Sequence, residues 1–503
     1  MRHTGANFKH RFAALLYVRL TSIAGIGFLM QKLTKKYGFF TALAMVVGIV
    51  VGSGVFYKSQ EILITVKGSM PLGIVAWLVG GLVMICCSAT FAVMASMFEG
   101  VGGAADYAEL CCSDGYAYYF SWFLATILYP SLASVLCWVS AKYTGALFGW
   151  DAAGGNVMLL SGIFLIGSYV TNLISPRLAG LLQVSTTIIK LIPLVLMALV
   201  GTVFGVIEEN IDGAMLTRLS GDTLSVFSAI VATAFAYEGW IIATSINTEL
   251  REAKRNLPKA LIIGGAIIVT VYALYYVGLS GALSPEELME KGATAAFIAL
   301  FGKRFGLVLN IFVAISCLGT LNGLTMATVR GYYVCGSRMK SSIRNPLLAI
   351  DQYTNTPTHS AALGLSASAI WLVYFYGANV GGGWFGVFNF DSSELPVITT
   401  YALYIPIFIG FIKKYRKNDI KRGVILPILS LLSSSFIIFA TLYAHGIRPF
   451  LSAKTEGKFS FPVLFYLIIF CVIMLFGMLL RWIDSRRAES ESREKKKCDD
   501  INY

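Results

Sequence analysis

The sequence predicts an all-α integral membrane protein with twelve transmembrane helices, in which a 5+5 inverted repeat is followed by two C-terminal helices. Three observations predict this fold: an apolar composition, an uneven distribution of basic residues, and two interrupted helices at matching positions. Of 503 residues, 56% are hydrophobic and 13% are charged, and the mean hydropathy is +0.71. Such values exclude an ordinary soluble protein.

Twelve apolar stretches are long enough to cross a membrane, since roughly 20 apolar residues span a hydrocarbon core of about 30 Å. Their approximate bounds are Phe39–Phe56, Leu72–Phe98, Tyr116–Gly145, Val157–Ile174, Leu181–Ile207, Leu224–Ile246, Ala260–Leu283, Phe305–Cys335, Ala361–Tyr376, Phe390–Ile412, Val424–Ala444 and Phe461–Trp482. The predicted organisation is an N-terminal cytoplasmic segment (1–36), repeat one (37–207), repeat two (223–412), the last two helices (421–482) and a mixed-charge tail (483–503) that is expected to be disordered.

The basic residues predict the orientation in the membrane. With the N-terminus inside, about 28 of the 40 lysine and arginine residues lie on segments that face the cytoplasm, which is the positive-inside pattern. Both termini are therefore predicted to be cytoplasmic, in a multi-pass protein of the cell membrane. The net charge of +13 then reflects topology and indicates no nucleic-acid partner. The nine cysteines lie in spans or cytoplasmic segments, so no structural disulfide is expected.

The first 29 residues do not fit a signal peptide, because Arg19 interrupts the apolar run that such a peptide needs. The sequence from Met30 to Lys36 looks like a complete bacterial N-terminus that leads into a span. Two interpretations stay open: Met30 is the true start, or residues 1–29 form a poorly ordered or interfacial appendage. Mass spectrometry of the mature N-terminus separates them.

The predicted first span contains Gly52-Ser53-Gly54. Each glycine costs a helix roughly 1 kcal/mol relative to alanine, and an opened helix exposes peptide groups that a bilayer tolerates only beside a cavity or protein. Small residues also let helices pack closely, so this triplet alone leaves both interpretations open. A second interruption in the sixth span, at 236–240, favours an opened helix, because paired breaks in two halves point to a transporter site.

Two opened helices offer complementary groups to a zwitterion such as an α-amino acid. The N-terminal end of a half-helix has free N–H groups and a partial positive charge, so Gly52, Ser53 and Gly54 suit a carboxylate, with the Ser53 hydroxyl as a further donor. The free carbonyls of the other break suit an amine; they belong to Phe235, Ala236 and Glu238. The rings of Phe235 and Tyr237 either cap the ligand or only pack, and both interpretations stay open.

Lys190 lies about nine residues inside the predicted fifth span, which is on the order of 13 Å from the helix end. A lysine near a helix end can extend its ammonium to the interface, but this depth makes that difficult. Ionisable residues within membranes usually face the protein interior or a cavity. An internal role, functional or structural, is favoured over extension to the interface.

Other candidate chemistry is weak. The glycine-rich link at 99–107 lacks the Lys-Ser/Thr pair of a phosphate-binding loop. The four histidines are scattered, and neither a nucleophile–base arrangement nor paired carboxylates are apparent. We therefore predict no enzymatic activity, no cofactor and no metal site.

Four motifs in order resemble the amino acid–polyamine–organocation superfamily, in particular the bacterial type of its L-amino-acid transporter branch. They are Val51-Gly52-Ser53-Gly54-Val55-Phe56, Phe235-Ala236-Tyr237-Glu238-Gly239-Trp240, the connector from Glu249 to Pro258, and Gly319-Thr320-Leu321-Asn322-Gly323. The resemblance covers about residues 35–481.

The resemblance implies roles for particular residues. It implies that the Ser53 and Gly54 amides bind the substrate carboxylate with Val50 nearby. The carbonyls of Phe235, Ala236 and Glu238 would bind the amine, and Phe235 would act as a gate.

Two further positions are implied to have coupling or structural roles. Lys190 matches a lysine whose ammonium, in sodium-independent members, replaces a sodium ion between spans 1 and 8, and Asn322 lies in the span 8 motif. A fixed cation there repels a second one, which favours sodium independence.

The sequence departs from the family at two places. Glu238 replaces a residue that is often glycine, so it either reads a cationic side chain or a proton, or it is salt-bridged or solvent-facing. The predicted external link at 147–156 has no cysteine, whereas heteromeric members attach a partner subunit there. We therefore expect no disulfide-linked ancillary subunit.

The sequence thus predicts a sodium-independent amino acid transporter that works by alternating access within the lipid bilayer and exchanges its substrates. Two alternatives stay open: a proton-coupled permease for cationic amino acids or polyamines, and a membrane amino acid sensor or receptor. The sequence does not specify which amino acid is carried.

Overall fold

A computed structural model describes residues 38–98, 102–211, 224–351, 354, 356–416, 421–455 and 460–501. The regular elements of these residues are helices. Eleven of these helices are long and apolar enough to cross a membrane, and a bent helix pair at the start adds a twelfth span. The prediction of a twelve-helix membrane protein is confirmed.

Span 1 consists of two half-helices, 1a (Phe39–Val50) and 1b (Gly54–Thr65). The other spans, numbered 2 to 12, are Met70–Met97, Asp114–Ala146, Gly155–Ile174, Leu178–Ile207, Ser225–Thr244, Ala253–Ala282, Lys303–Ser337, Thr358–Val380, Leu395–Tyr415, Arg422–Lys454 and Pro462–Glu494. Shorter helices lie between spans, at Ala104–Cys111, Pro285–Phe301 and Arg344–Leu348.

Both predicted interruptions are present. The axes of half-helices 1a and 1b differ by 41°. In span 6 the α-helix Ser225–Ala236 ends, Gly239 adopts a φ of +108°, and a 3₁₀ helix continues from Trp240. A positive φ is open to glycine because it lacks a Cβ atom, so Gly239 allows the chain to change direction inside the membrane.

The remaining spans form a scaffold around these breaks. Span 7 packs along span 2, and span 8 packs along span 3. The members of each pair are five spans apart, as a 5+5 repeat requires. The bounds of the two repeats stay a prediction.

The two ends of the chain have different outcomes. The N-terminal prediction, with the open choice of Met30 as the start, lies outside the described residues. The predicted disordered tail differs from the structure, because the last helix continues from Pro462 to Ile501. The Asp484 carboxylate accepts hydrogen bonds from the backbone N–H groups of Lys340 (2.9 Å) and Ser341 (2.8 Å). These tertiary contacts stabilise a helix that composition alone does not predict.

Candidate functional site

A cavity with about 340 Å³ of empty space lies between the two broken helices. Seven of the predicted site residues line it, together with five others that were not predicted as site residues. The predicted residues are Val50, Gly52, Ser53, Gly54, Phe235, Glu238 and Gly239, and the others are Ile49, Leu132, Leu136, Thr320 and Leu324.

The break in span 1 presents free donors to this cavity. Within the described part of the chain, the backbone N–H groups of Gly52, Ser53 and Gly54 make no hydrogen bond. The Ser53 hydroxyl is buried and is also without a partner there. Half-helix 1b begins at Gly54, so its partial positive charge adds to these donors. The arrangement suits a carboxylate.

The glycines of span 1 are required by close approach of other helices. A Cβ atom on Gly54 would lie 2.4 Å from the Cα of Ala236, and one on Gly52 would lie 3.0 Å from the Oγ1 of Thr320. Neither glycine has a positive φ. Gly54 therefore brings the two breaks into contact, while Gly52 brings span 1 against span 8.

The carbonyls of the second break are partly occupied. The Phe235 carbonyl accepts a hydrogen bond from the Glu238 N–H (3.2 Å). The Ala236 carbonyl accepts one from the Tyr272 hydroxyl (3.4 Å), which lies 3.1 Å from the Val50 carbonyl. Tyr272, on span 7, thus joins the two breaks; its position in the sequence gave no signal of this role. Among the described residues the Glu238 carbonyl accepts no hydrogen bond, which leaves it and a lone pair of Phe235 for an amine.

The two aromatic residues of the second break have different surroundings. Phe235 lines the cavity, as a capping ring would. The Tyr237 hydroxyl donates to the Trp77 carbonyl of span 2 (2.9 Å), and its ring stacks on Tyr272 at 5.2 Å between centroids. Tyr237 and Ala236 are absent from the cavity lining, so the structure places Tyr237 as a packing residue.

Glu238 is 5% exposed and lines the cavity. Neither carboxylate oxygen accepts a hydrogen bond within the described ranges, and no basic side chain there forms an ion pair with it. The salt-bridged and solvent-facing interpretations of Glu238 therefore do not hold for this structure. A buried carboxylate without a partner is costly, which favours a protonated state or a cationic ligand.

Lys190 lies in the interior, with no exposed surface. Its ammonium donates to the Gly48 carbonyl of half-helix 1a (2.6 Å) and to the Thr320 hydroxyl of span 8 (2.9 Å). Extension to the membrane interface is excluded by this position. The ammonium thus lies between spans 1 and 8, and Thr320 connects it to the cavity.

Asn322 connects spans 8, 5 and 4 and does not line the cavity. Its amide Nδ2 donates to the Ala179 carbonyl (2.8 Å), and its Oδ1 accepts from Asn172 (3.0 Å). These contacts stabilise the scaffold beside the site.

A group of charges near the cavity was not predicted as a unit, and we call it the Lys58 cluster. Lys58, 1% exposed, lies 2.7 Å from a Glu394 oxygen, 2.9 Å from Glu61 and 3.8 Å from Asp391. Glu394 also contacts the His445 ring nitrogen at 2.8 Å. The cluster joins half-helix 1b to spans 10 and 11. The sequence shows a lysine on one helix and two acids at the start of another. Lys58 and Glu394 are 336 residues apart, so nothing local indicates that they meet.

Comparisons with known proteins agree with this geometry. A family model described as amino acid permease matches residues 37–476. The serine/threonine exchanger SteT of Bacillus subtilis is 26% identical, over 82% of this chain and 92% of its own length. The b(0,+)-type amino acid transporter 1 of Mus musculus is 25% identical, over 82% and 84%. The human large neutral amino acids transporter small subunit 2 is 24% identical, over 84% and 79%.

The family match spans most of the chain, and the relatives are transporters rather than enzymes. The twelve spans and the cavity between two broken helices are the structural counterpart of that match. The chain belongs to the amino acid permease family and is a multi-pass membrane transporter of amino acids.

Proposed function

We propose that this protein is a sodium-independent exchanger of amino acids that alternates access to a site between its two broken helices. The free N–H groups of Gly52, Ser53 and Gly54 bind the substrate carboxylate. The Phe235 and Glu238 carbonyls bind the amine, and the Phe235 ring covers the ligand. The single observation that carries this proposal is the cavity where unused donors of one break face carbonyls of the other.

Exchange is proposed from the relatives, because SteT is named a serine/threonine exchanger. Sodium independence is proposed from Lys190, whose ammonium bonds to neutral oxygens of spans 1 and 8. A second cation at this place would be repelled by the ammonium. Because the relative SteT is named an exchanger, the alternative of a proton-coupled permease is not favoured. The sensor alternative has no counterpart among the named relatives.

The orientation and assembly of the protein are proposals as well. Following the positive-inside pattern, both termini face the cytoplasm and the helix Pro285–Phe301 lies outside. We propose that no subunit is attached by a disulfide at residues 147–156, because this link contains no cysteine.

Exchange can be tested with the purified protein in proteoliposomes. Uptake of labelled amino acids is measured with and without internal unlabelled substrate, in sodium and in choline buffers. We expect internal substrate to stimulate uptake at least tenfold, with equal rates in the two buffers. Uptake that ignores internal substrate would reject exchange, and uptake that requires sodium would reject the role of Lys190.

The binding site itself is tested by Ser53→Leu, which fills the cavity and removes a hydroxyl donor. We expect substrate binding to fall below detection in a thermal-shift titration, while the protein still elutes as a single species. Thr65→Leu, at the end of the same half-helix, adds the same side chain away from the cavity and serves as the control. Normal binding by Ser53→Leu would place the substrate elsewhere.

Glu238 supports a cationic side chain within the substrate range. Its carboxylate is buried, lines the cavity and has no partner in the described part of the chain. An ammonium or guanidinium group of a ligand would satisfy it, and charge-assisted hydrogen bonds of this kind are about twice as strong as neutral ones.

Glu238→Gln tests this substrate range because it keeps the shape and removes the charge. In competition uptake, we expect the preference for lysine or arginine over a neutral amino acid to fall at least tenfold. The exposed Glu286→Gln is the control for loss of one acidic residue. If the preference is unchanged, Glu238 does not select the side chain of the substrate.

A further inference from the structure

A second cavity, of about 600 Å³ of empty space, lies between half-helix 1b, span 3, span 8 and the helix Pro285–Phe301. Its lining includes Tyr57, Gln60, Lys142, Gly292 and Asn310. We call it the vestibule. Its lining contains a lysine, Lys142, and polar side chains that are not part of the central cavity.

The vestibule and the central cavity share three walls. On span 3, Leu136 lines the central cavity and Lys142 the vestibule, and six helical residues separate these positions by about 9 Å. On span 8, Thr320 and Asn310 are related in the same way, about 15 Å apart along the axis. The fourth wall differs, because span 6 lines the central cavity and the helix Pro285–Phe301 lines the vestibule. The two cavities therefore follow one another along the same helices, and the vestibule leads to the side of Pro285–Phe301.

Lys142 supplies a positive charge to the vestibule without an acidic partner. Its ammonium lies 5.4 Å from the centroid of the Tyr57 ring and 5.3 Å from that of Trp138. Among the described residues, no aspartate or glutamate forms an ion pair with it. Cation–π contacts are worth about 0.5–2 kcal/mol, and they leave the N–H donors of the ammonium for an oxygen ligand.

The neighbouring lysines are already neutralised. The Lys58 ammonium also lies near the Tyr57 ring, at 5.5 Å from its centroid, but it forms an ion pair with Glu394. Lys291, which lines the vestibule, pairs with Glu287 at 3.0 Å. Lys142 is thus the lysine of this region, as far as the structure describes it, whose charge is available to a ligand.

Polar side chains complete the vestibule. The Asn310 Oδ1 accepts a hydrogen bond from Thr294 (3.3 Å), and its Nδ2 makes none within the described ranges. The Gln60 amide donates to the Met289 carbonyl (2.8 Å). Gly292 has a φ of +72°, and a Cβ there would lie 2.7 Å from the Gln60 Oε1. The glycine therefore allows Gln60 to lie close to the helix Pro285–Phe301. Two donors, on Lys142 and Asn310, line the same cavity.

We propose that the vestibule is a low-affinity docking site for the carboxylate of the amino acid substrate, bound by Lys142 with the Asn310 amide as a second donor. The substrate would stop there before it reaches the broken helices. This proposal rests on the proposed function, since it needs an amino acid substrate, but it concerns a separate set of residues.

Saturation-transfer NMR on the purified Ser53→Leu protein tests the vestibule while the central site is blocked. The probe is an amino acid that the wild-type protein transports, at millimolar concentration. We expect a residual signal that falls at least tenfold in Ser53→Leu/Lys142→Met, persists in Ser53→Leu/Lys142→Arg, and is absent for the amide derivative of the same amino acid. Ser53→Leu/Lys303→Met is the control, because Lys303 is exposed and outside the vestibule.

The same site is tested without Ser53→Leu by uptake kinetics in vesicles. Lys142→Met alone is expected to raise the KM for uptake from the side of Pro285–Phe301 about tenfold, and Lys142→Arg to restore it. No signal in Ser53→Leu with an unchanged KM in Lys142→Met would overturn the docking site while leaving amino acid transport intact. A signal that the amide derivative also gives would show that the vestibule does not recognise the carboxylate, and would overturn the proposal. Absence of amino acid transport by the wild type would instead overturn the proposed function.

Discussion

Lys58 and Lys190 are both buried in the membrane domain, at 1% and 0% exposure, but their charges are compensated in opposite ways. Lys58 is surrounded by the carboxylates of Glu61, Asp391 and Glu394. Lys190 contacts a carbonyl and a hydroxyl, and no acidic side chain of the described residues pairs with it. The first lysine joins helices through ion pairs, while the second is bound by neutral oxygens beside the site.

From this difference we expect one lysine to stabilise the fold and the other to act in transport. Removing Lys58 would leave the buried Glu394 carboxylate without its ammonium partner, which is the costly way to break an ion pair. Removing Lys190 would leave only neutral acceptors without a donor. Its Nζ instead donates to Thr320, which lines the cavity. We therefore expect Lys58 to matter most for stability and Lys190 most for transport.

The largest effect on stability is expected for Lys58→Met. Glu394, whose side chain is 4% exposed, would lose its ammonium partner at 2.7 Å, at a cost of about 3–5 kcal/mol. Thermal unfolding in detergent measures this loss. The double variant Lys58→Met/Glu394→Gln should recover part of it, because the uncompensated carboxylate is gone. A single variant as stable as Lys303→Met would contradict the assignment of Lys58 to the fold.

A smaller loss of stability is expected for Lys190→Met. Each of the two lost charge-assisted hydrogen bonds is worth about 1.5–3 kcal/mol. The loss is offset because the desolvation cost of a buried ammonium is removed as well, and no carboxylate is left unpaired. Exchange in proteoliposomes should nevertheless fall at least tenfold, since the positive charge between spans 1 and 8 is removed. If Lys190→Met destabilised the protein more than Lys58→Met, or exchanged at the wild-type rate, the distinction between the two lysines would fail.

The smallest effect is expected for Glu61→Gln, which probes the outer member of the Lys58 cluster. The Glu61 side chain is 39% exposed, and such pairs contribute about 0–1 kcal/mol. Its unfolding temperature should stay close to that of the wild type, and Glu394→Gln should be clearly lower. Equal losses of stability in the two variants would show that the more exposed Glu61 and the buried Glu394 stabilise the Lys58 cluster equally. Burial would then not explain the strength of these ion pairs.

Much of the site was predictable because backbone breaks have a local signature. Gly52 and Gly54 indicated where span 1 opens, although the physical reason differs in part. Poor helix propensity predicted the break, whereas the structure shows that Cβ atoms at these positions would collide with Thr320 and Ala236. Lys190 was also predictable, since an ionisable residue so deep in a span has few alternatives to an internal position.

The Lys58 cluster and the tail were beyond prediction for one shared reason. The partners of Lys58 lie on spans 1 and 10, and those of Asp484 lie after span 8. Composition near Asp484 favours disorder, and nothing local shows which backbone N–H groups will reach its carboxylate. Tyr237 is a related case: the sequence left open whether its ring caps the ligand or only packs, and its hydroxyl donates to the Trp77 carbonyl of span 2.

The sequence by itself determined the membrane class, the number of spans and the positions of both breaks, because hydropathy and glycine act locally along the chain. The tertiary structure decided which charges meet: it left Glu238 and Lys142 without acidic or basic partners among the described residues and surrounded Lys58 with three acids. Pairing of charges depends on distances between helices that are remote in sequence, and only packing sets those distances.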